Sequence, residues 1–236
     1  MTLQKITNKK AIKEKQRHYE DACGIAHALD LVGERWALLV MRELLFGPKR
    51  FSDLRQSLPG ISANVLTQRL EGLEAAGLLV KRKLAPPAAS QVYELTAWGY
   101  ECEPVIRTLG RWAARSPAHD PTLPVSSVSI MLSMRTMFDS ARAAGMDARI
   151  GFQLEDESFV GRVADGRLEL DRGPYDGADV IFTGTARHLA AALYSGMPLA
   201  LMIEKKMLTI DGDRTTAEKF VSLFPLPAKA DLPTKA

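Results

Sequence analysis

The sequence predicts a two-domain α+β chain of 236 residues. Its first half is helical with a small two-stranded ribbon, and its second half is an antiparallel sheet covered by helices on one face. Three observations predict this. The stretch "SPAHDPTLPVSS" at residues 116–127 holds three prolines and no helical or strand period, as a linker does. Before it, apolar residues recur mostly at helical spacing; after it, alternating strands and an Asp165-Gly166 turn appear. The boundaries that follow are residues 1–115, a linker at 116–127, a second domain at 128–226 and a flexible tail at 227–236.

Composition excludes several classes. With 46% hydrophobic and 25% charged residues the chain reads as globular. No run approaches the roughly 18 to 20 apolar residues of a membrane span. The basic N-terminus lacks the apolar core of a signal peptide, so a cytoplasmic protein is expected. Cys23 and Cys102 are too few for a disulfide framework, and neither a metal site nor a cofactor is expected. The net charge of +3 is uneven. Residues 1–118 hold 18 Lys and Arg against 12 Asp and Glu, whereas residues 119–236 hold 13 against 16. A basic half joined to an acidic half suggests that the first meets a polyanion.

Within the first half, "ERWALLVMRELLF" predicts a helix buried on most sides and stopped by Gly47-Pro48. "FSDLRQSL" predicts a short helix capped by Ser52, and "PG" at 59–60 a tight turn. The next helix starts at Ser62 as N-cap, with Ile61 and Leu66 as a hydrophobic staple, and ends before Gly77. "LLVKRKL" and "QVYELT" predict a ribbon whose loop is "APPAAS", and a last helix from Thr96 is kinked or split at Pro104.

Two helices joined by a tight turn, followed by a basic ribbon, make a winged helix-turn-helix. The second helix would enter the major groove of double-stranded DNA, placing Ser62, Asn64, Thr67 and Gln68 against base edges. Lys49, Arg50, Lys81, Arg82 and Lys83 are the expected phosphate contacts. A polar helix face is also what any solvated helix shows, and a cationic edge strand often only blocks pairing. Cations before the turn, an acid-poor reading face and cations after it together favour DNA. Arg69 is expected to pack or to pair with Glu43, Glu71 or Glu74, not to read a base.

"GERW", "GPKRFSDL", "PGIS", "LTQRL", "GLL" and "YELT" resemble the HxlR-type winged helix-turn-helix transcriptional regulators, over about residues 23–112. The resemblance implies a homodimer formed by the flanking helices, around Ile12 to Tyr19 and Thr96 to Arg115, on a near-palindromic operator. It also matches Cys23 to a thiol that some relatives use as a sensor, although an acid two residues earlier and no neighbouring cation argue for a small hydrophobe.

In the second half, Ile130, Met131, Met134, Met137, Phe138 and Ala141 form one helical stripe ending at Gly145. "ARIGFQL" alternates strictly, "SFVGRVADGRLELD" is a hairpin with a type I′ turn, and "ADVIFTG" and "MLTIDGD" are further strands. Helices are expected at Thr185 to Ser195, Leu199 to Lys205 and Thr215 to Phe224. Seven of the nine methionines fall here; they suit either a gap-filled core or an adaptable apolar pocket. This half resembles the sterol-carrier-protein-type lipid-binding domain over about Val128 to Pro225, which implies a cavity for a small apolar ligand. Met134, Phe138, Phe152, Leu193, Met202 and Phe220 are the candidate lining.

The four histidines show no metal-ligand spacing, and no nucleophile elbow or phosphate-binding glycine loop is present. No enzyme is expected. "IDGD" at 210–213 reads as a turn and N-cap. The predicted function is a homodimeric DNA-binding regulator whose second domain takes a small apolar effector. The alternative is an apolar-ligand carrier whose helical half mainly dimerises.

Overall fold

The computed structural model describes residues 18–85 and 90–231. Two helices, α1 (Gly24–Val32) and α2 (Ala37–Leu44), come first among the described residues. The helix expected from Glu34 starts three residues later, because Trp36 takes a left-handed conformation at φ 80°. That conformation is strained for a bulky residue. The indole edge stands 3.9 Å from where a Cβ on Gly60 would be, so Trp36 supports the tight turn at 59–60.

Helix α3 (Phe51–Ser57) is not capped by Ser52, which lies inside its first turn. Instead the Asp53 carboxylate accepts the Arg50 backbone N–H at 3.2 Å. Helix α4 (Ala63–Ala75) begins as predicted: the Ser62 hydroxyl accepts from the Val65 N–H at 3.3 Å, and Ile61 and Leu66 are both buried. Gly77, at φ 73°, turns the chain into the ribbon of β1 (Leu79–Lys83) and β2 (Gln91–Leu95), paired antiparallel. The expected wing loop falls partly on residues 86–89, outside the described residues. The last predicted helix is split into α5 (Ala97–Tyr100) and α6 (Glu103–Ala114). Pro104 stands in the first turn of α6, where a missing N–H costs nothing.

Helix α7 (Ser127–Met137) ends eight residues before the expected stop at Gly145, with Phe138 as its C-cap. The sheet is built from β3 (Ala148–Leu154), β4 (Glu157–Ala164), β5 (Arg167–Arg172), β6 (Val180–Gly184) and β7 (Leu208–Gly212) in the order β5-β4-β3-β6-β7. It is mixed, not antiparallel: β3 and β6 run parallel, with Leu154 opposite Gly184. Alternation and turn signals report strands and tight hairpins, but the chain crosses from β5 past β4 and β3 before β6, and no local signal marks that crossing. The hairpin turn has both Asp165 and Gly166 at positive φ, as a type I′ turn requires.

Helices α8 (Ala186–Tyr194), α9 (Leu199–Glu204) and α10 (Arg214–Val221) complete this half. Ala148, Ile150, Phe152 and Leu154 share the buried face of β3 as predicted. Phe152 packs on Phe182 and Phe220 at ring distances of 5.9 and 5.8 Å, and Phe220 on Phe224 at 5.1 Å. Asp213 caps α10: its carboxylate accepts the Thr216 hydroxyl and the N–H groups of Thr215 and Thr216, which hold its pKa below the usual carboxylate range. The partly buried Tyr194 phenol meets the Ser133 hydroxyl at 2.6 Å, tying α8 to α7, and desolvation pushes its pKa up to about 12.

The two halves share a packed seam. Phe46 sets its ring edge-on to Phe159 of β4 at 5.8 Å, and the Arg135 guanidinium of α7 lies 4.2 Å from the Phe46 ring centroid. Arg135 also pairs with Glu103 of α6 at 2.9 Å and donates to the Leu170 carbonyl of β5. The expected flexible tail is anchored where it is described. Lys229 donates to the carbonyls of Ala114 and Ser116 at 3.1 Å each, closing the C-terminal end of α6. Phe46→Ala is expected to lower stability by about 3–5 kcal/mol, because the ring fills the seam from the first half. Chemical denaturation checks this; a loss below about 1 kcal/mol would show that the seam is not packed as described.

Candidate nucleic-acid interface

The predicted base-reading residues are exposed along one side of α4. They are not equivalent. The Ser62 hydroxyl is engaged in the cap, and the Thr67 hydroxyl donates to the Ala63 carbonyl at 3.0 Å. Asn64 and Gln68 make no side-chain hydrogen bond among the described residues, and their spacing of four puts both amides on one face. A free carboxamide can pair bidentately with adenine in the major groove, so these two carry the greater reading capacity. Leu66, Leu70 and Leu73 hold the opposite face of α4 in the core.

The cations divide more sharply. Arg50 is exposed and touches the Ser90 hydroxyl at 3.1 Å; Lys83 is exposed at the end of β1. Lys81 lies 5.9 Å from the Tyr93 ring centroid with its ammonium in solvent. Arg82 is half-exposed and paired with Glu94, so its charge is partly spent. Arg69 pairs with Glu34 at 3.0 Å, not with the expected Glu43, Glu71 or Glu74.

The expectation for Lys49 is corrected. It is 3% exposed, and its ammonium points inward. The three ammonium N–H groups meet Glu43 at 3.1 Å, Ser57 at 3.1 Å and Glu157 of β4 at 3.2 Å. Glu43, itself fully buried, also accepts from Arg42 at 2.9 Å and from Ser126, at the start of α7, at 2.7 Å. A buried ammonium so paired has nothing to offer a phosphate. "GPKR" reads as two adjacent cations, but the backbone of Lys49 pairs with Tyr93 as an extended bridge and sends neighbouring side chains to opposite faces. The buried Glu43 was the missed signal: an acid inside an otherwise apolar helix needs a buried cation.

Cys23 is exposed as the residue preceding α1, and its backbone N–H donates to Asp21 at 2.9 Å. Burial pushes the Cys102 thiol up, a poor setting for a thiolate. The six candidate ligand-lining residues are not brought round one cavity. Met134, Phe152, Met202 and Phe220 are packed solid at 0% exposure. Phe138 lines a polar cleft of about 530 Å³ beside Arg107 and Arg135. Leu193 lines an apolar groove of about 380 Å³ with Ala192, Met197, Leu199 and Val221. Among the described residues no cluster of His, Cys, Asp and Glu could hold a metal ion, and no helix is long and apolar enough to cross a membrane.

A two-helix reading head with a cationic ribbon defines a winged helix-turn-helix DNA-binding protein. Residues 31–120 match the HxlR-like helix-turn-helix family, and residues 116–230 match the alkyl sulfatase C-terminal family. The HTH-type transcriptional regulator YvaP of Bacillus subtilis is 37% identical over 87 residues, 36% of this chain and 80% of its own length. The regulator sll1512 of Synechocystis sp. is 42% identical over 85 residues, 36% of this chain; the match spans 62% of that relative's length. The solved structure of the sec-alkylsulfatase Pisa1 from Pseudomonas sp. is similar over 50% of this chain and 17% of its own, at 21% identity and a TM-score of 0.37. The chain belongs to the HxlR-like helix-turn-helix family of transcriptional regulators.

The division among the cations is open to test. Lys49→Met is expected to destabilise the fold by about 3 kcal/mol and leave the salt dependence of DNA binding unchanged, whereas Lys83→Ala lowers the slope of log K against log salt by about one. Denaturant titration and binding in a salt series measure the two. A reduced slope for Lys49→Met would return that residue to the interface.

Proposed function

We propose that the protein is a homodimeric, operator-binding transcriptional regulator whose second domain takes a small apolar effector. The observation that carries it is the pair of amides, Asn64 and Gln68, that no described residue engages, exposed on α4 between the cations Arg50, Lys81 and Lys83, which form no ion pair among the described residues. A helix at that position presents base-reading groups, while flanking cations release counterions and set its register. Ser62 and Thr67 act beside them through their remaining hydroxyl capacity, and Arg82 contributes a weaker phosphate contact.

Dimerisation is supported by an apolar stripe that no other part of the described chain covers. Val105, Leu109 and Trp112 stand exposed at 58%, 45% and 70% on α6, and Ile25 and Leu29 at 67% and 46% on α1. Three large side chains at spacings of four and three on one helix are costly to leave in water and suit a second copy. The other expected dimer segment, around Ile12 to Tyr19, lies almost wholly outside the described residues. A symmetric dimer would set two α4 helices about one DNA turn, roughly 34 Å, apart.

For the effector, the groove beside Leu193 and Val221 has an apolar wall and an open side, with Glu218 its charged edge. A carrier needs a cavity able to enclose its cargo, and the sheet face that would line one is filled by Phe152, Phe182 and Phe220; this favours the regulator over the carrier.

The test is binding of the purified protein to its own upstream DNA in a salt series, against scrambled competitor. Specific binding is expected, weakened about five- to 150-fold by Gln68→Ala at the cognate site only, as about 1–3 kcal/mol of base discrimination implies. Lys81→Ala is expected to weaken cognate and scrambled DNA alike. Equal binding of both sequences by the unaltered protein would sink the operator reading. In sedimentation, Leu109→Glu with Trp112→Glu is expected to give monomer; an unchanged dimer would remove α6 from the interface.

A further inference from the structure

The groove and the reading head are connected through helix α8, hydrogen bonds to Glu155, the backbone of one turn of the sheet, and an ion pair from Glu157 to Lys49. Helix α8 supplies Ala192 and Leu193 to the groove at its C-terminal end. At its N-terminal end the Ala186 N–H donates to the Glu155 carboxylate at 3.0 Å. The second oxygen of that carboxylate accepts the Ser127 hydroxyl of α7, also at 3.0 Å. Glu155 sits in the two-residue turn between β3 and β4, in the left-handed conformation at φ 50°. Two residues on, Glu157 accepts from Lys49 at 3.2 Å and from Arg172 at 2.7 Å.

Lys49 in turn holds the reading head at two places. Its backbone N–H donates to the Tyr93 carbonyl at 3.0 Å, and the Tyr93 N–H donates back at 2.9 Å, fixing the wing. Its ammonium reaches Ser57 at the end of α3, and the next residue, Arg50, begins that helix.

We propose that this turn, Glu155 to Glu157, is the joint that transmits occupancy of the groove to the helix-turn-helix. The inference rests on the reading that the groove takes an apolar effector. A hydrogen-bonded helix moves as a unit, so an occupant that shifts the C-terminal end of α8 also shifts Ala186 against Glu155. The strained two-residue turn leaves little slack between Glu155 and Glu157. The buried ammonium of Lys49 then follows Glu157 or loses a partner, which is costly where water cannot replace it. Glu155, Glu157 and Lys49 are thus positioning residues, touching neither effector nor DNA.

Contiguity is not itself coupling, so the test reads the far end directly. Hydrogen exchange is measured on the full chain without DNA, for the unaltered protein, Glu155→Gln, Glu157→Gln and the control Arg167→Gln, with Ser127→Ala as a milder change at the same joint. Glu155→Gln and Glu157→Gln are each expected to speed exchange at least about fivefold in Phe51–Ser57 and Gln91–Leu95, although neither residue lies in that half. Ser127→Ala moves the same amides less, and the control leaves them unchanged. Dodecanoate, as an apolar probe, is expected to slow α8 and the reading head together in the unaltered protein, but α8 alone in Glu155→Gln. Faster exchange confined to α8 and residues 154–159 would overturn the joint. If the variants loosen the reading head while dodecanoate protects nothing, the joint stands and the effector assignment falls.

Discussion

The Lys49 ammonium, buried between Glu43 of one half and Glu157 of the other, is the constraint on which the arrangement depends. Placing a full charge in a protein interior is unfavourable unless its partners are fixed and its donors all used. Here every donor is used, and the partners come from α2, α3 and β4. Two apolar surfaces alone, such as Phe46 on Phe159, tolerate small slides with little loss. A three-donor ammonium does not, because a displaced donor left unpaired in the interior costs about 1–3 kcal/mol. The aromatic seam supplies area, while the ion cluster fixes register.

This explains why neighbouring cations do different things. Arg50 is solvent-facing at the start of α3, and Lys49 beside it is part of the core. The reading surface is therefore narrower than its charge suggests: two free amides on α4, one cation before the turn and two on the wing. Arg69 and Arg82, both in the basic half, are tied to Glu34 and Glu94.

What was legible in the sequence is what local physics specifies. Ser62 with Ile61 and Leu66 marked the start of α4, Asp165-Gly166 marked a hairpin, and Asp213 marked a helix cap, each through groups within a few residues of one another. What was not legible depends on residues far apart. Trp36 at φ 80° packs beside Gly60, and the third partner of the Lys49 ammonium, Glu157, comes from the other half of the chain. Two of the ligand candidates show the same dependence on distant residues. Phe152 and Phe220 have the size and spacing of pocket residues, but whether they line a void or fill it depends on Phe182 and Phe224.

The parallel pairing of β3 with β6 is the least legible feature and the one with the widest effect. With Leu154 opposite Gly184, both strands end at the same edge of the sheet. The chain leaving β6 enters α8 immediately, so the helix N-terminus arrives beside the β3–β4 turn, where the Glu155 carboxylate completes its orphan N–H. Had β6 run antiparallel to β3, as the alternation suggested, α8 would begin at the opposite edge and Glu155 would have no helix to hold. The same edge carries Glu157, and through it Lys49. A single strand direction, set by a crossover, thus brings a groove-lining helix and the reading head to opposite ends of one short turn. An effector could act across that turn only to the extent that it binds one position of α8 better than another.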